Sequence, residues 1–136
     1  MGALKPPRAS FDDAELSESM DVEPPLERIA VRSRSEIVVL HVESIDWIGA
    51  ADNYVEIHAH GTAHLLREPL QELERRLDPR RFARIHRGVV VNLDRIDRLR
   101  TRPGGDPEAT LHDGTRLPVG RSYAARLLAR WDGPRS

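Results

Sequence analysis

The chain has 136 residues, 39% of them hydrophobic and 32% charged, with aromatics at only 4% and no cysteine. That is room for one domain with a core of Leu, Ile and Val, and it excludes disulfides, thiolate catalysis and cysteine-based zinc sites. The formal net charge of −1 conceals a split: residues 1–27 hold seven of the 22 acids and two bases, Lys5 and Arg8, so an acidic tail precedes a body with 15 acids, 19 bases and all six histidines.

Residues 1–27 contain Pro6-Pro7, Pro24-Pro25 and scattered apolar residues (Leu4, Phe11, Leu16, Met20, Val22) with no sustained period. They read as a disordered or extended tail, with a short helix over Phe11–Met20 as the alternative. The N-terminus has no apolar core of a signal peptide, and no run approaches the roughly 20 apolar residues of a transmembrane helix. Together with the missing cysteine, this fits a cytoplasmic location and no membrane partner.

From Arg28 the pattern becomes short alternating segments. Ile29 and Val31 alternate with Arg28, Ala30 and Arg32, which predicts a strand. Ser33-Arg34-Ser35 is a turn, and Glu36–Val42 predicts a more buried strand. Glu43–Asp46 is a connector, Trp47-Ile48 begins another strand, and Gly49–Asn53 reads as a loop. Tyr54–His60 alternates, with Val55, Ile57 and Ala59 on one side and Tyr54, Glu56, His58 and His60 on the other. The chain turns at His60-Gly61-Thr62, and Ala63–Arg67 returns as its hairpin partner.

Pro69–Leu77 predicts the first helix, with Leu70, Leu73 and Leu77 on one stripe and Asp78-Pro79 as the stop. Arg84–Val91 reads as one strand interrupted by His86-Arg87-Gly88, followed by a turn at Asn92-Leu93-Asp94. Arg95–Arg100 alternates with Ile96 and Leu99 inward, and residues 103–107 form a loop. Ala109–His112 and Thr115–Val119 form a hairpin whose Asp113-Gly114 predicts a type I′ turn. Ser122 is placed to cap a last helix, Tyr123–Trp131, with Leu127, Leu128 and Trp131 on one stripe and Gly133-Pro134 at its end. The expected fold class is mainly β, with roughly eight to ten short strands and two short helices.

The chemistry is sparse. There is no Gly-x-Ser-x-Gly, no Walker-type phosphate loop and no Gly-x-Gly-x-x-Gly, and the carboxylates are scattered, so an enzyme is not expected and no cofactor is implied. His58 and His60 share a strand face and His64 lies across the turn. Such a set can bind Zn²⁺, but an exposed polar face at a hairpin end is the favoured reading.

Polar side chains gather instead at loop positions: Asp52-Asn53-Tyr54, His86-Arg87-Gly88 and Gly120-Arg121-Ser122-Tyr123. Arginine forks onto guanine O6 and N7, Asn pairs with adenine, and His donates to either. Ser and Tyr hydroxyls, and the amides of a helix N-terminus, suit phosphate contacts. Each site alone has an ordinary structural reading. Arg87 could be a solvated charge, His86 a hydrogen-bonded structural histidine, Asn53 a turn residue with positive φ, and Arg121 a helix-start charge.

The order of these segments resembles the LytTR DNA-binding domain family of bacterial transcription regulators, from about Arg28 to Trp131. The most specific stretch, Phe82-Ala83-Arg84-Ile85-His86-Arg87-Gly88-Val89-Val90-Val91-Asn92, is similar to the family signature F-x-R-x-H-R-S-x-x-V-N. Supporting pieces are Ile45-Asp46-Trp47-Ile48, Asn53–His58, Leu70-x-x-Leu73-Glu74-x-x-Leu77, and the stretch from Leu111 through Asp113-Gly114 and Leu117-Pro118-Val119-Gly120-Arg121 to Tyr123.

The resemblance implies an elongated arrangement of about ten strands over residues 28–132, binding double-stranded DNA through loops inserted in the major groove. Residue by residue it places base reading near Asn53–Val55, at Arg87 and at Arg121, with His86 bracing its loop; with the loop reading above, the expected DNA-binding residues are Asn53, Tyr54, His86, Arg87, Arg121, Ser122 and Tyr123. Departures are Gly88 and Gly120, where the family often carries Ser, and Asp52, which would face DNA as a like charge. Residues 1–27 are too short for the receiver domain many members carry, so the chain either stands alone or is an excerpt.

The expected function is a sequence-specific DNA-binding transcription regulator, paired as a homodimer on repeated half-sites. The alternative is a protein- or ligand-binding regulatory module on the same scaffold with little DNA affinity. For the acidic tail, a solubilising arm is favoured over a competitor for the DNA-binding face.

Overall fold

In a computed structural model, which describes residues 24–101 and 103–131, the chain forms ten strands and two α-helices. In chain order these are β1 (Arg28–Ser33), β2 (Glu36–His41), β3 (Ile45–Ala51), β4 (Tyr54–Ala59), β5 (Thr62–Leu66), α1 (Leu70–Arg76), β6 (Phe82–His86), β7 (Val89–Asn92), β8 (Ile96–Arg100), β9 (Glu108–Leu111), β10 (Arg116–Pro118) and α2 (Arg121–Arg130). Short 3₁₀ turns at Val42–Ser44 and Leu93–Arg95 lead into β3 and β8. The helix foreseen over Phe11–Met20, and the stop at Gly133-Pro134, lie outside the described residues. Among the described residues no helix is long and apolar enough to cross a membrane.

All pairings are antiparallel. The central sheet has the order β5-β4-β3-β7-β6, flanked by the hairpin β1-β2 and the three-stranded sheet β10-β9-β8. The alternation of side chains in β7 shows how the layers form. Val90 belongs to one core, with Ile48, Val55, Ile57, Ile29, Val31, Leu40 and the α1 residues Leu70, Leu73 and Leu77. Val89 and Val91 belong to a second core, with Ala83, Ile85, Ile96, Leu111, Leu117 and Leu127 of α2. The β6-β7 side of the central sheet is therefore covered on both faces, and a strand so covered reads as a continuous apolar run instead of an alternating one.

Several expectations change. Arg84–Val91 is not one strand: His86 pairs with Val89, so Arg87-Gly88 is the two-residue tip of a tight hairpin between β6 and β7. Residues 49–51 are not loop but the end of β3, which is paired by β4 on one side and β7 on the other. The Trp47 ring lies over Gly49, where an added Cβ would stand 2.9 Å from it. A bare strand residue is what lets the indole lie flat there and stack on His58, ring centroids 3.9 Å apart and planes within 7°.

β2 is less buried than its composition suggests, with Ile37 and Val39 more than half exposed on the outer face of the β1-β2 hairpin. In α2 the stripe is Leu127 with Trp131, while Leu128 points to solvent. The turn with two successive positive φ values is not Asp113-Gly114 but His60 (55°) and Gly61 (75°), bracketed by the Ala59–Thr62 pair; near Asp113 only Gly114 is left-handed. Asp113 instead accepts the backbone N–H of Thr115 at 2.9 Å. That bond, with the Thr115 side chain, holds the Asp113 carboxyl below its ordinary range. The hairpin's gain from this carboxylate is present at neutral pH and is lost as pH falls through that lowered value.

Candidate nucleic-acid interface

Antiparallel pairing brings the β3-β4 turn, the β6-β7 turn and the C-terminal end of β5 to the same end of the central sheet. Two backbone bonds then tie the loops together. Ala50 N–H donates to the Gly88 carbonyl at 2.9 Å, joining the first two turns, and Gly120 N–H donates to the Ile85 carbonyl at 2.7 Å, seating the start of α2 beside β6. Asn53-Tyr54, His86-Arg87 and Arg121-Ser122-Tyr123, scattered over some seventy positions of sequence, thus share one rim.

The Arg87 tip is held from behind. Arg84 Nε donates to the His86 carbonyl at 3.1 Å, its Nη2 donates to the Arg87 carbonyl, and its Nη1 is ion-paired with Glu74 on α1. A planar guanidinium with five donors can fork over three acceptors in this way, whereas an ammonium cannot. His86 closes the tip from the other side, its Nδ1 accepting the Gly88 N–H at 3.1 Å. That bond assigns the neutral ring's proton to Nε2 and leaves it free to donate outward. The Arg87 side chain itself is exposed, with no hydrogen-bond or ion-pair partner among the described residues. A fixed backbone thus carries an uncommitted guanidinium.

At the first turn Asp52 is the left-handed residue (φ 53°), so Asn53 does not take the positive φ that a purely structural role would give it; Asn53 is exposed and Tyr54 half-buried. At the third site the helix starts two residues earlier than expected. Gly120 occupies the cap position without a side-chain bond, and Ser122, foreseen as the cap, lies exposed inside the first turn. Arg121 is exposed and sits 3.3 Å from Asp106, itself exposed; such a pair in water is weak and readily exchanged. Tyr123 packs its ring against Gly120 and carries the Arg126 guanidinium 5.6 Å from its centroid, so it supports the helix start more than it projects.

The two glycine departures separate here. A Cβ at Gly120 would stand 2.9 Å from the Tyr123 ring, whereas at Gly88 it meets only Ala50 and His86 at 3.8 Å, with φ outside the left-handed region. Gly88→Ser is therefore expected to fold normally and to add a hydroxyl at the tip. It should raise duplex affinity by about 0.5–1.5 kcal/mol if that hydroxyl reaches a phosphate. Gly120→Ser should lower the melting temperature through overpacking. Paired thermal melts and duplex titrations check both.

Sequence reasoning missed two residues. Arg84 carries the tip, though its role depends on Glu74 ten positions away. Asn92 is the only polar residue in the core among those described; its side-chain amide donates to the Ile45 carbonyl at 2.9 Å and its Oδ1 accepts the Asp94 N–H at 3.0 Å. The histidines do not assemble: His58 pairs with Ala63 and His64 with Ile57, so they lie on opposite sheet faces. Among the described residues no group of three His, Asp or Glu is arranged to hold a metal.

Residues 35–132 match the family model described as the LytTr DNA-binding domain. The chain is 38% identical over 104 residues to the positive alginate biosynthesis regulatory protein of Pseudomonas aeruginosa, covering 74% of this chain and 41% of that one. It is 40% identical over 91 residues to an uncharacterized response regulatory protein of Vibrio cholerae, covering 64% of this chain and 34% of that one. To the sensory transduction protein LytT of Bacillus anthracis it is 25% identical over 107 residues, 79% of this chain and 44% of that one. The chain thus spans less than half the length of these relatives.

The fold is similar to that of the LytTr DNA-binding domain of a response regulator from Bacillus cereus, with a TM-score of 0.71 at 20% identity over 79% of this chain and 98% of the other. With the family model covering most of its length, the chain belongs to the LytTr DNA-binding domain family.

Proposed function

We propose that this chain is a sequence-specific transcription regulator whose rim of turns reads base edges in the major groove of double-stranded DNA. The observation that carries this reading is the exposed, unpaired Arg87 guanidinium on a tip whose backbone is fixed by Arg84 and His86. Fixing the backbone before binding removes part of the ordering cost, so a bidentate arginine–guanine contact delivers more net discrimination. Arg121 and Asn53 flank it as further base-edge donors. The free Nε2–H of His86, the Ser122 hydroxyl and the first amides of α2 address phosphates. Tyr54 and Tyr123 shape the rim, with hydroxyls able to reach the backbone. The basic body agrees with this, and two copies on repeated half-sites would supply the footprint that one small rim lacks.

Selection of bound fragments from random duplex DNA is the test. An enriched motif, repeated at about one helical turn, is expected. Recovery of unselected sequence in dilute buffer would remove the proposal.

A further inference from the structure

Beside the reading rim lies an open groove lined by Ala30, Arg32, Tyr54, Leu65, Leu66 and Arg67. It forms where the outer face of β1 meets the C-terminal end of β5. Tyr54 belongs to both the groove and the first turn of the rim, so the two surfaces are continuous. Its floor includes Leu65, more than half exposed. Its two cations, Arg32 and Arg67, are exposed and have no ion-pair partner among the described residues. They differ in this from the arginines around α1, where Arg75, Arg76 and Arg84 are each matched to a Glu. The neighbouring acids are Glu68, ion-paired with Arg76, Glu36, opposite Ser33, Glu56, opposite Leu65 and 3.3 Å from His58, and Asp52 in the turn.

We propose that this groove holds the sugar–phosphate backbone flanking the bases read by the rim, with Arg32 and Arg67 as a phosphate clamp and the Leu65 floor against the sugars. The inference rests on the function proposed above. Charge selects the occupant. A second copy of the same groove would set these arginines against their own kind, whereas a nucleic-acid backbone offers a phosphate charge to each. The clamp would carry no sequence information; it would set register and orientation for Arg87.

The test uses the full chain with Arg32→Gln and Arg67→Gln together, titrated against the selected duplex and a scrambled duplex over a range of salt. Neutralised phosphates release counterions, so the slope of log K against log salt is expected to fall by about 2, roughly 1 per arginine. Affinity for both duplexes should drop by the same factor, leaving their ratio unchanged, and the double Lys variant should recover the slope. Arg75→Gln, on α1, should leave slope and affinity unaltered.

If the wild type shows no salt-dependent duplex binding, the proposed function itself fails. If the wild type binds and the double variant keeps its slope, the clamp is wrong while the reading rim stands. Tighter DNA binding by the double variant, matched by deletion of residues 1–23, would show that the groove holds the acidic tail and would overturn the clamp. So would dissociation of a dimer with no change in slope.

Discussion

Arg87→Ala is expected to lower specific duplex affinity by about 1–3 kcal/mol, the value of a bidentate base contact, with far-UV circular dichroism and melting temperature unchanged. The side chain is exposed and holds nothing else in place among the described residues, so its removal leaves no buried group unsatisfied. Affinity for scrambled DNA should fall far less. Arg121→Ala should behave similarly, partly offset because its Asp106 contact must be given up on binding.

Arg84 provides the complementary result. Arg84→Lys keeps the charge but cannot bond the His86 and Arg87 carbonyls and Glu74 at once. Specificity should drop even though Arg87 is still present. A variant with lost discrimination and an intact Arg87 would identify tip rigidity, not charge alone, as the basis of reading. Unchanged discrimination in Arg84→Lys would show that the tip does not need its brace.

The largest stability effect is expected at Asn92. Asn92→Ala removes the partner of the Ile45 carbonyl and of the Asp94 N–H in one step. A buried group left unsatisfied costs about 1–3 kcal/mol, so a total near 2–3 kcal/mol is expected. For a domain of this size that lowers the melting temperature by roughly 10–20 °C. Asn92 ends β7 and bonds the start of β3, 47 residues away, so its loss loosens the strand pair that carries both the first and the second turn. A melt within a few degrees of wild type would show that the core does not depend on this pin.

These two residues show why part of the molecule was legible in its sequence and part was not. Tyr54–Ala59 and the Leu70, Leu73, Leu77 stripe follow local periods, because each element has one wet and one dry face, and both stand as read. The β6-β7 hairpin did not, because β7 is covered on both faces and Val89-Val90-Val91 has no alternation to mark where one strand ends and the next begins. Gly49-Ala50-Ala51 lacks the side chains that announce a strand; its conformation is imposed by neighbours on both edges and by the Trp47 ring above it. β2 misled in the other direction, since Ile37 and Val39 are apolar but outward.

At the candidate site, residue types and loop positions were visible, because Arg, Asn and His recur together between predicted strands, although each alone has an ordinary structural reading. The family signature marked the same stretch. Beyond the bracing expected of His86, the signature did not reveal the division of labour within it. Phe82 is core, Arg84 braces, His86 closes the tip, Arg87 is left free, and Asn92 pins the far end. Those roles depend on partners in α1 and β3 that only the folded chain brings near.

Guanine methylation interference on a selected duplex addresses the central claim most directly, since a methyl group on N7 blocks the major-groove edge that an arginine fork would occupy. With the wild-type chain, methylation of particular guanines should abolish binding, and Arg87→Ala should become indifferent to one of them in each half-site while remaining sensitive elsewhere. Equal tolerance of N7 methylation by both proteins, with binding otherwise intact, would contradict major-groove reading by this tip.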